Sequence, residues 1–187
     1  MIFNDLKAIF IHNERTGGVS VRKHLLQYEK HFERIASTKH LTCEETKKLV
    51  GNKWDDYLTF AFVRNPYDRL VSWFTVCNEH QEWISPVAKY MRKYKTLEEL
   101  VLDNRPHEQI LLSQYEKTKD VDWLFAYERY DGAMRSLCDM LKIPYKSRYD
   151  NSSYHAHYTT YYTKEMLDIV NEWFKKDLEM FNYNFGG

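Results

Sequence analysis

The stretch Ala8-Ile-Phe-Ile-His-Asn-Glu-Arg-Thr-Gly-Gly-Val-Ser-Val-Arg22 holds the residue types of an anion site. Gly17 and Gly18 let a backbone come close to a phosphate and take positive φ. Arg15, Thr16 and Ser20 add a cation and two hydroxyls at the same place. The chemistry such a set supports is the capture of a phosphate-like group by backbone N–H groups, hydroxyls and a guanidinium. The pattern G-x-x-x-x-G-K-[ST] is absent and no lysine follows Gly18, so this is not the common nucleoside-triphosphate loop. A second cation, Arg64, opens the stretch Arg64-Asn-Pro-Tyr-Asp68.

Both stretches sit where a strand gives way to a helix. Ala8 to Ile11 is apolar, β-branched and too short for a helix, which predicts a strand over about 7–12. A helix is predicted over about 19–30, with Val21, Leu25 and Tyr28 on one face. Its first turn leaves backbone N–H groups unpaired and carries partial positive charge, which suits an anion. Leu58 to Val63 is a near-continuous apolar run, as expected of a strand buried on both faces. After it Asn65 suits an N-cap, Pro66 the first helical position and Asp68 the first turn. Tyr67, Leu70, Val71, Phe74 and Cys77 then form an apolar stripe, and Ser72 lies off it, with its hydroxyl expected to serve another role.

The remaining chain alternates in the same way. Phe32 to Ala36 reads as a short strand, and Thr42-Cys-Glu-Glu45 as a capping box opening a helix to about Val50. Residues 80–118 read as polar helices, with a second capping box at Thr96-Leu-Glu-Glu99, and are expected to be a variable insertion beside the cleft. Trp123 to Tyr127 reads as another buried strand ending at Glu128, and Ala133 to Leu141 as a helix. A Tyr-rich irregular stretch over 145–162 precedes a last helix from about Lys164 to Met180. Strands alternating with helices imply βαβ units, a mostly parallel sheet and ligands at the carboxyl ends of the strands. Arg15 and Arg64 both follow such ends, so both are expected to meet in one crevice.

Composition narrows the field. At 187 residues the chain is expected to form a single α/β domain. Lysine plus arginine balance aspartate plus glutamate at 27 each, which argues against non-specific nucleic-acid binding. Cys43, Cys77 and Cys138 make neither a disulfide framework nor a zinc pattern, and suit a reducing compartment. No signal-peptide segment and no apolar run of membrane-spanning length stands out, so a cytoplasmic protein is expected. The chain shows no strong metal motif; His155-x-His157 is a weak pair, and no metal is expected.

Taken with their spacing, these motifs resemble a known family. Phe10-Ile-His-Asn-Glu-Arg-Thr-Gly-Gly-Val-Ser20 resembles the 5′-phosphosulfate loop of the sulfotransferases that use 3′-phosphoadenosine 5′-phosphosulfate (PAPS). Phe62-Val-Arg-Asn-Pro-Tyr-Asp-Arg-Leu-Val-Ser72 resembles their 3′-phosphate motif, R-N-P-x-x-R-x-x-S, and matches it throughout. Lys39-His-Leu-Thr42, Tyr127-Glu128, Asn151-x-Ser153 and Asp177-Leu-Glu-Met-Phe-Asn-Tyr183 extend the likeness along most of the chain. It resembles most the branch that includes carbohydrate O-sulfotransferases and compact bacterial-type proteins.

The resemblance implies a P-loop-like α/β fold and transfer of the sulfuryl group of PAPS to a hydroxyl of a small molecule or glycan. It implies that Arg15, Thr16, Gly17, Gly18, Val19 and Ser20 hold the 5′ end, that Arg64 and Ser72 hold the 3′-phosphate, and that His40 is the base. A histidine suits that task because its pKa lies near neutrality, and Arg15 suits the stabilisation of charge on the bridging oxygen. The loop departs from the family's P-K-T-G-G-T-S, with Glu14 for proline, Arg15 for lysine and Val19 for threonine. Arginine keeps the charge and can grip two oxygens. A carboxylate at Glu14 opposes anion binding unless it points away or pairs with a cation. Arg69 has two readings, site residue or ion-pair partner. Three functions remain open at this point: an active sulfotransferase, a non-catalytic binder of 3′,5′-ADP-like nucleotides, and a P-loop kinase, the last disfavoured by the missing lysine.

Overall fold

The computed structural model describes residues 1–33, 40–147 and 155–187. Its strands are β1 (Ile2–Phe3), β2 (Ala8–Ile11), β3 (Phe32–Glu33), β4 (Leu58–Val63) and β5 (Trp123–Ala126). Its helices are α1 (Gly18–Leu25), α2 (Cys43–Val50), α3 (Lys53–Asp56), α4 (Pro66–Glu79), α5 (Pro86–Met91), α6 (Leu97–Leu102), α7 (Glu108–Leu111), α8 (Gln114–Thr118), α9 (Tyr130–Met140) and α10 (Lys164–Phe181). The sheet runs β3-β1-β2-β4-β5. The functional strands β2, β4 and β5 are parallel, with Ile11 beside Ala61 and Val63 beside Ala126. The two-residue strand β1 is antiparallel to both of its neighbours.

The residues fall into two compact units, Met1–Arg64 with Glu116–Ser152, and Asn65–Tyr115 with Ser153–Gly187. In the first, side chains alternate across the sheet as strand geometry requires. Phe3, Ala8, Phe10, Phe60 and Phe62 pack with Val21 and Leu25 of α1 and with Met134 and Leu137 of α9. Ile2, Ile9, Ile11 and Ala61 face the other way, onto Cys43 and Trp54. Both faces of β2 and β4 are therefore covered, which is why these runs are apolar except at Thr59.

In the second unit α4 is buried over nearly its whole circumference in its first three turns, Ser72 and Trp73 included. Ser72 thus lies off the apolar stripe as expected, yet is fully buried. The helical segment read as a variable insertion supplies Val87, Ala88, Met91, Leu97, Leu100, Val101 and Ile110 to this unit's core, beside Met166, Val170 and Phe174 of α10. Asp177 of α10 is buried and accepts from Ser113 Oγ at 2.6 Å and from the backbone N–H groups of Gln114 at 3.0 Å and Tyr115 at 3.1 Å. Arg69 Nη1 lies 3.9 Å from the same carboxylate, so the structure gives Arg69 an acidic neighbour within its own unit.

Two expectations need correction. The strand at Trp123 is not buried: Trp123 is 49% and Leu124 42% exposed, because among the described residues β5 ends the sheet and pairs with β4 alone. Helix α1 stops at Leu25, and Leu26–Tyr28 continue as a 3₁₀ turn. The strand predicted over 32–36 is described only at Phe32–Glu33; its remainder, with Lys39, Asn151 and Ser153, lies outside the described residues.

Candidate active site

The glycine turn is a backbone cradle tied to the sheet. Asn13 Nδ2 donates to the carbonyl of Phe62 on β4 at 2.9 Å, and Thr16 Oγ1 donates to the carbonyl of Asn13 at 3.0 Å. Arg15 and Gly17 are both left-handed, at φ 62° and 76°. A non-glycine residue held there stores strain on the order of 1–3 kcal/mol, of the kind that gathers at ligand clamps. Successive N–H groups in such a turn point into one concavity. Helix α1 then starts at Gly18 behind the N-cap Gly17, with no side-chain cap and no acidic residue in its first turn. Ser20 and Val21 donate their N–H groups to the Gly17 carbonyl at 3.0 and 3.2 Å.

Both glycines are demanded by shape. A Cβ on Gly18 would stand 2.0 Å from Cδ2 and 2.1 Å from Nε2 of the His12 ring. At Gly17 a Cβ would meet the Tyr130 ring at 2.9 Å and the Tyr127 ring at 3.0 Å, besides the cost of positive φ.

Arg64 is placed by strand register. Val63 pairs with Ala126, so the next residues, Arg64 and Tyr127, emerge side by side at the carboxyl ends of β4 and β5. The guanidinium carbon stands 4.4 Å from the Tyr127 ring centroid, a cation–π contact. Nη1 donates to the backbone carbonyl of Arg15 at 3.1 Å. Arg64 thus meets the backbone of Arg15, and it is 6% exposed.

Below the loop lies a charged cluster that the sequence did not disclose. Glu14 does not oppose the anion site unpaired: its Oε2 accepts from Lys117 Nζ of α8 at 2.8 Å. Those side chains are 10% and 4% exposed. His40 sets Nδ1 at 3.1 Å from the carbonyl of His12 and at 3.6 Å from Glu14 Oε1. A carbonyl can only accept, so that contact assigns the proton to Nδ1 and leaves Nε2 as the basic nitrogen. The His12 and His40 ring centroids are 4.7 Å apart.

Burial, with smaller contributions from His40 and Lys117, pushes the His12 imidazole well below its ordinary 6.5, and Glu14 only partly opposes this. Folded His12 therefore stays neutral where the unfolded chain takes up a proton. Its contribution to stability is complete above about pH 6.5 and is lost as the pH falls through and below that value. The slope is about 1.4 kcal/mol per pH unit. Urea unfolding at pH 7 and pH 5 should show this loss in the native chain and its absence in His12→Gln.

Arg15, Thr16, Gly17, Gly18, Val19, Ser20, His40 and Arg64 all belong to the first unit, whereas Ser72 lies on α4 in the second. His107 caps α7, its Nδ1 accepting from the N–H of Gln109 at 3.1 Å. His155 Nε2 stands 4.0 Å from Asp68, and His157 Nδ1 meets Thr159 Oγ1 at 2.8 Å. Among the described residues no cluster of histidine, cysteine, aspartate and glutamate is arranged to hold a metal ion. No helix among them is long and apolar enough to cross a membrane.

The parallel strands, with the glycine turn and Arg64 at their carboxyl ends, define an α/β protein. The model of the sulfotransferase family matches residues 7–184, and the chain belongs to that family. No curated protein matches the sequence significantly. Mouse sulfotransferase SULT7A1, solved in complex with PAP, superposes with a TM-score of 0.53 at 13% identity, covering 95% of this chain and 89% of the mouse chain. At that identity the likeness is one of fold.

Proposed function

We propose that the chain binds PAPS and transfers its sulfuryl group to a hydroxyl of a small molecule or glycan. The observation that carries the reading is the Arg64 guanidinium fastened to the carbonyl of Arg15, beside a left-handed turn and a helix start that no side chain caps. These residues fit the donor: uncapped N–H groups and a first turn without acid suit a phosphosulfate, and a second, buried guanidinium suits a separate phosphate. PAPS, when bound, supplies the sulfuryl group and a phosphate leaving group.

Arg15, Thr16, Gly17, Gly18, Val19 and Ser20 hold the 5′ end; Arg64 holds the 3′-phosphate, and Ser72 is assigned there by the motif. His40 Nε2 takes the acceptor hydroxyl proton. Arg15 and the N–H groups of the turn stabilise charge on the bridging oxygen. In-line transfer of this kind needs positioning and electrostatics more than covalent work from the protein. The pairing of Glu14 with Lys117 offsets the carboxylate charge beside the anion site.

The test is selective. Arg64→Ala is expected to weaken 3′,5′-ADP binding by about 1.5–3 kcal/mol, the scale of a charge-assisted hydrogen bond, while 5′-AMP changes far less. Calorimetry on both ligands checks this, and equal losses contradict the assignment. Transfer of labelled sulfate from PAPS to a panel of sugar and phenol hydroxyls then defines the acceptor.

A further inference from the structure

Lys117, Glu14 and His40 form a chain of contacts leading to the proposed base. Lys117 Nζ stands 2.8 Å from Glu14 Oε2, and Glu14 Oε1 stands 3.6 Å from His40 Nδ1. Glu14 occupies the position where the resembled loop carries proline, a residue with no charge to offer. A buried carboxylate is costly unless its environment holds it, and here α8 supplies the cation that does.

We infer that Glu14 is a positioning residue for His40, and that Lys117 fixes Glu14 in that role. The inference rests on the reading of His40 as base. In the transfer step the acceptor O–H bond breaks and its proton passes to His40 Nε2. The acceptor oxygen bonds to sulfur, and the bond from sulfur to the bridging oxygen breaks with its electron pair leaving on the phosphate. His40 becomes cationic in this step. The Glu14 carboxylate faces the Nδ1 side of that imidazolium and stabilises it as charge develops. The carbonyl of His12 sets the ring orientation and the tautomer. Among the described residues, His12 and Glu14 are titratable neighbours of His40, with Lys117 acting through Glu14. Glu14 and Lys117 are deeply buried, so water screens the arrangement weakly.

The experiment compares Glu14→Gln, the double variant Glu14→Gln/Lys117→Met and the same Glu14→Gln change in a His40→Ala background. Glu14→Gln is expected to lower kcat for PAPS-dependent transfer about tenfold or more, with the Kd for 3′,5′-ADP within about twofold of the native value. The double variant removes both charges together, preserves the fold and is expected to show the same fall in kcat. In the His40→Ala background Glu14→Gln is expected to cause no further loss. The acidic limb of the kcat profile moves to lower pH in Glu14→Gln, because a carboxylate that favoured the protonated ring is gone. Native kcat in the double variant, or an equal loss with and without His40, overturns the proposal. NMR titration of His40 in the ligand-free protein gives a readout that needs no turnover. Titration at lower pH in Glu14→Gln supports the coupling, and an unchanged curve overturns it. A native chain that fails to use PAPS counts against the proposed function, while this titration still decides the link between Glu14 and His40.

Discussion

Lys117→Met loses about 3–5 kcal/mol of stability at pH 7, and adding Glu14→Gln recovers most of that loss. Removing one member of a buried ion pair leaves a poorly compensated buried charge, and the cost falls in that range. Glu14 is the member left behind, 8% exposed overall and held 2.8 Å from the ammonium it would lose. Removing both charges takes away the attraction and the desolvation cost together, and such double replacements are often neutral. Urea melts of the native chain, the single variant and the double variant check this. A single variant within about 1 kcal/mol of native stability, on the scale of an exposed pair, would show that the pair is open to water.

His40→Ala should lower transfer by about 10²–10⁴-fold, the usual contribution of a positioned acid or base. Binding of 3′,5′-ADP should be nearly unchanged, because the loop that cradles the nucleotide is held by other bonds. Asn13 is tied to Phe62, Thr16 to Asn13, and Arg64 to Arg15, none of them through His40. Steady-state transfer and equilibrium binding measured on one preparation separate the two effects. A variant that binds and turns over normally removes His40 as the base; one that loses both gives it a structural role.

The parts of the site that were legible in the sequence are those set by local pattern. Apolar runs at Ala8–Ile11 and Leu58–Val63 gave the strands, and the glycine pair gave the turn. Asn65 and Pro66 gave the start of α4, where Asn65 Oδ1 accepts from the N–H of Tyr67 as a cap does. What the sequence hid depends on contacts between distant residues. Lys117 sits 103 positions from Glu14, inside a short polar helix, and nothing local marks it as a partner. The exposure of Trp123 follows from the order of strands, which a strand's own residues do not encode. Strand β1 is two residues long, too short to show a period, and exists because it pairs with β2 and β3. His12 reads as an ordinary residue at the end of a strand. Its role as the surface against which Gly18 must be bare emerges only once the helix start folds onto it.

Most direct for the central claim is calorimetric titration of the native chain with 3′,5′-ADP, 5′-AMP and ATP, with and without magnesium. A site built from the Arg15 turn and Arg64 predicts tight 3′,5′-ADP binding that needs no magnesium, with 5′-AMP and ATP clearly weaker. Tighter, magnesium-dependent binding of ATP would contradict it.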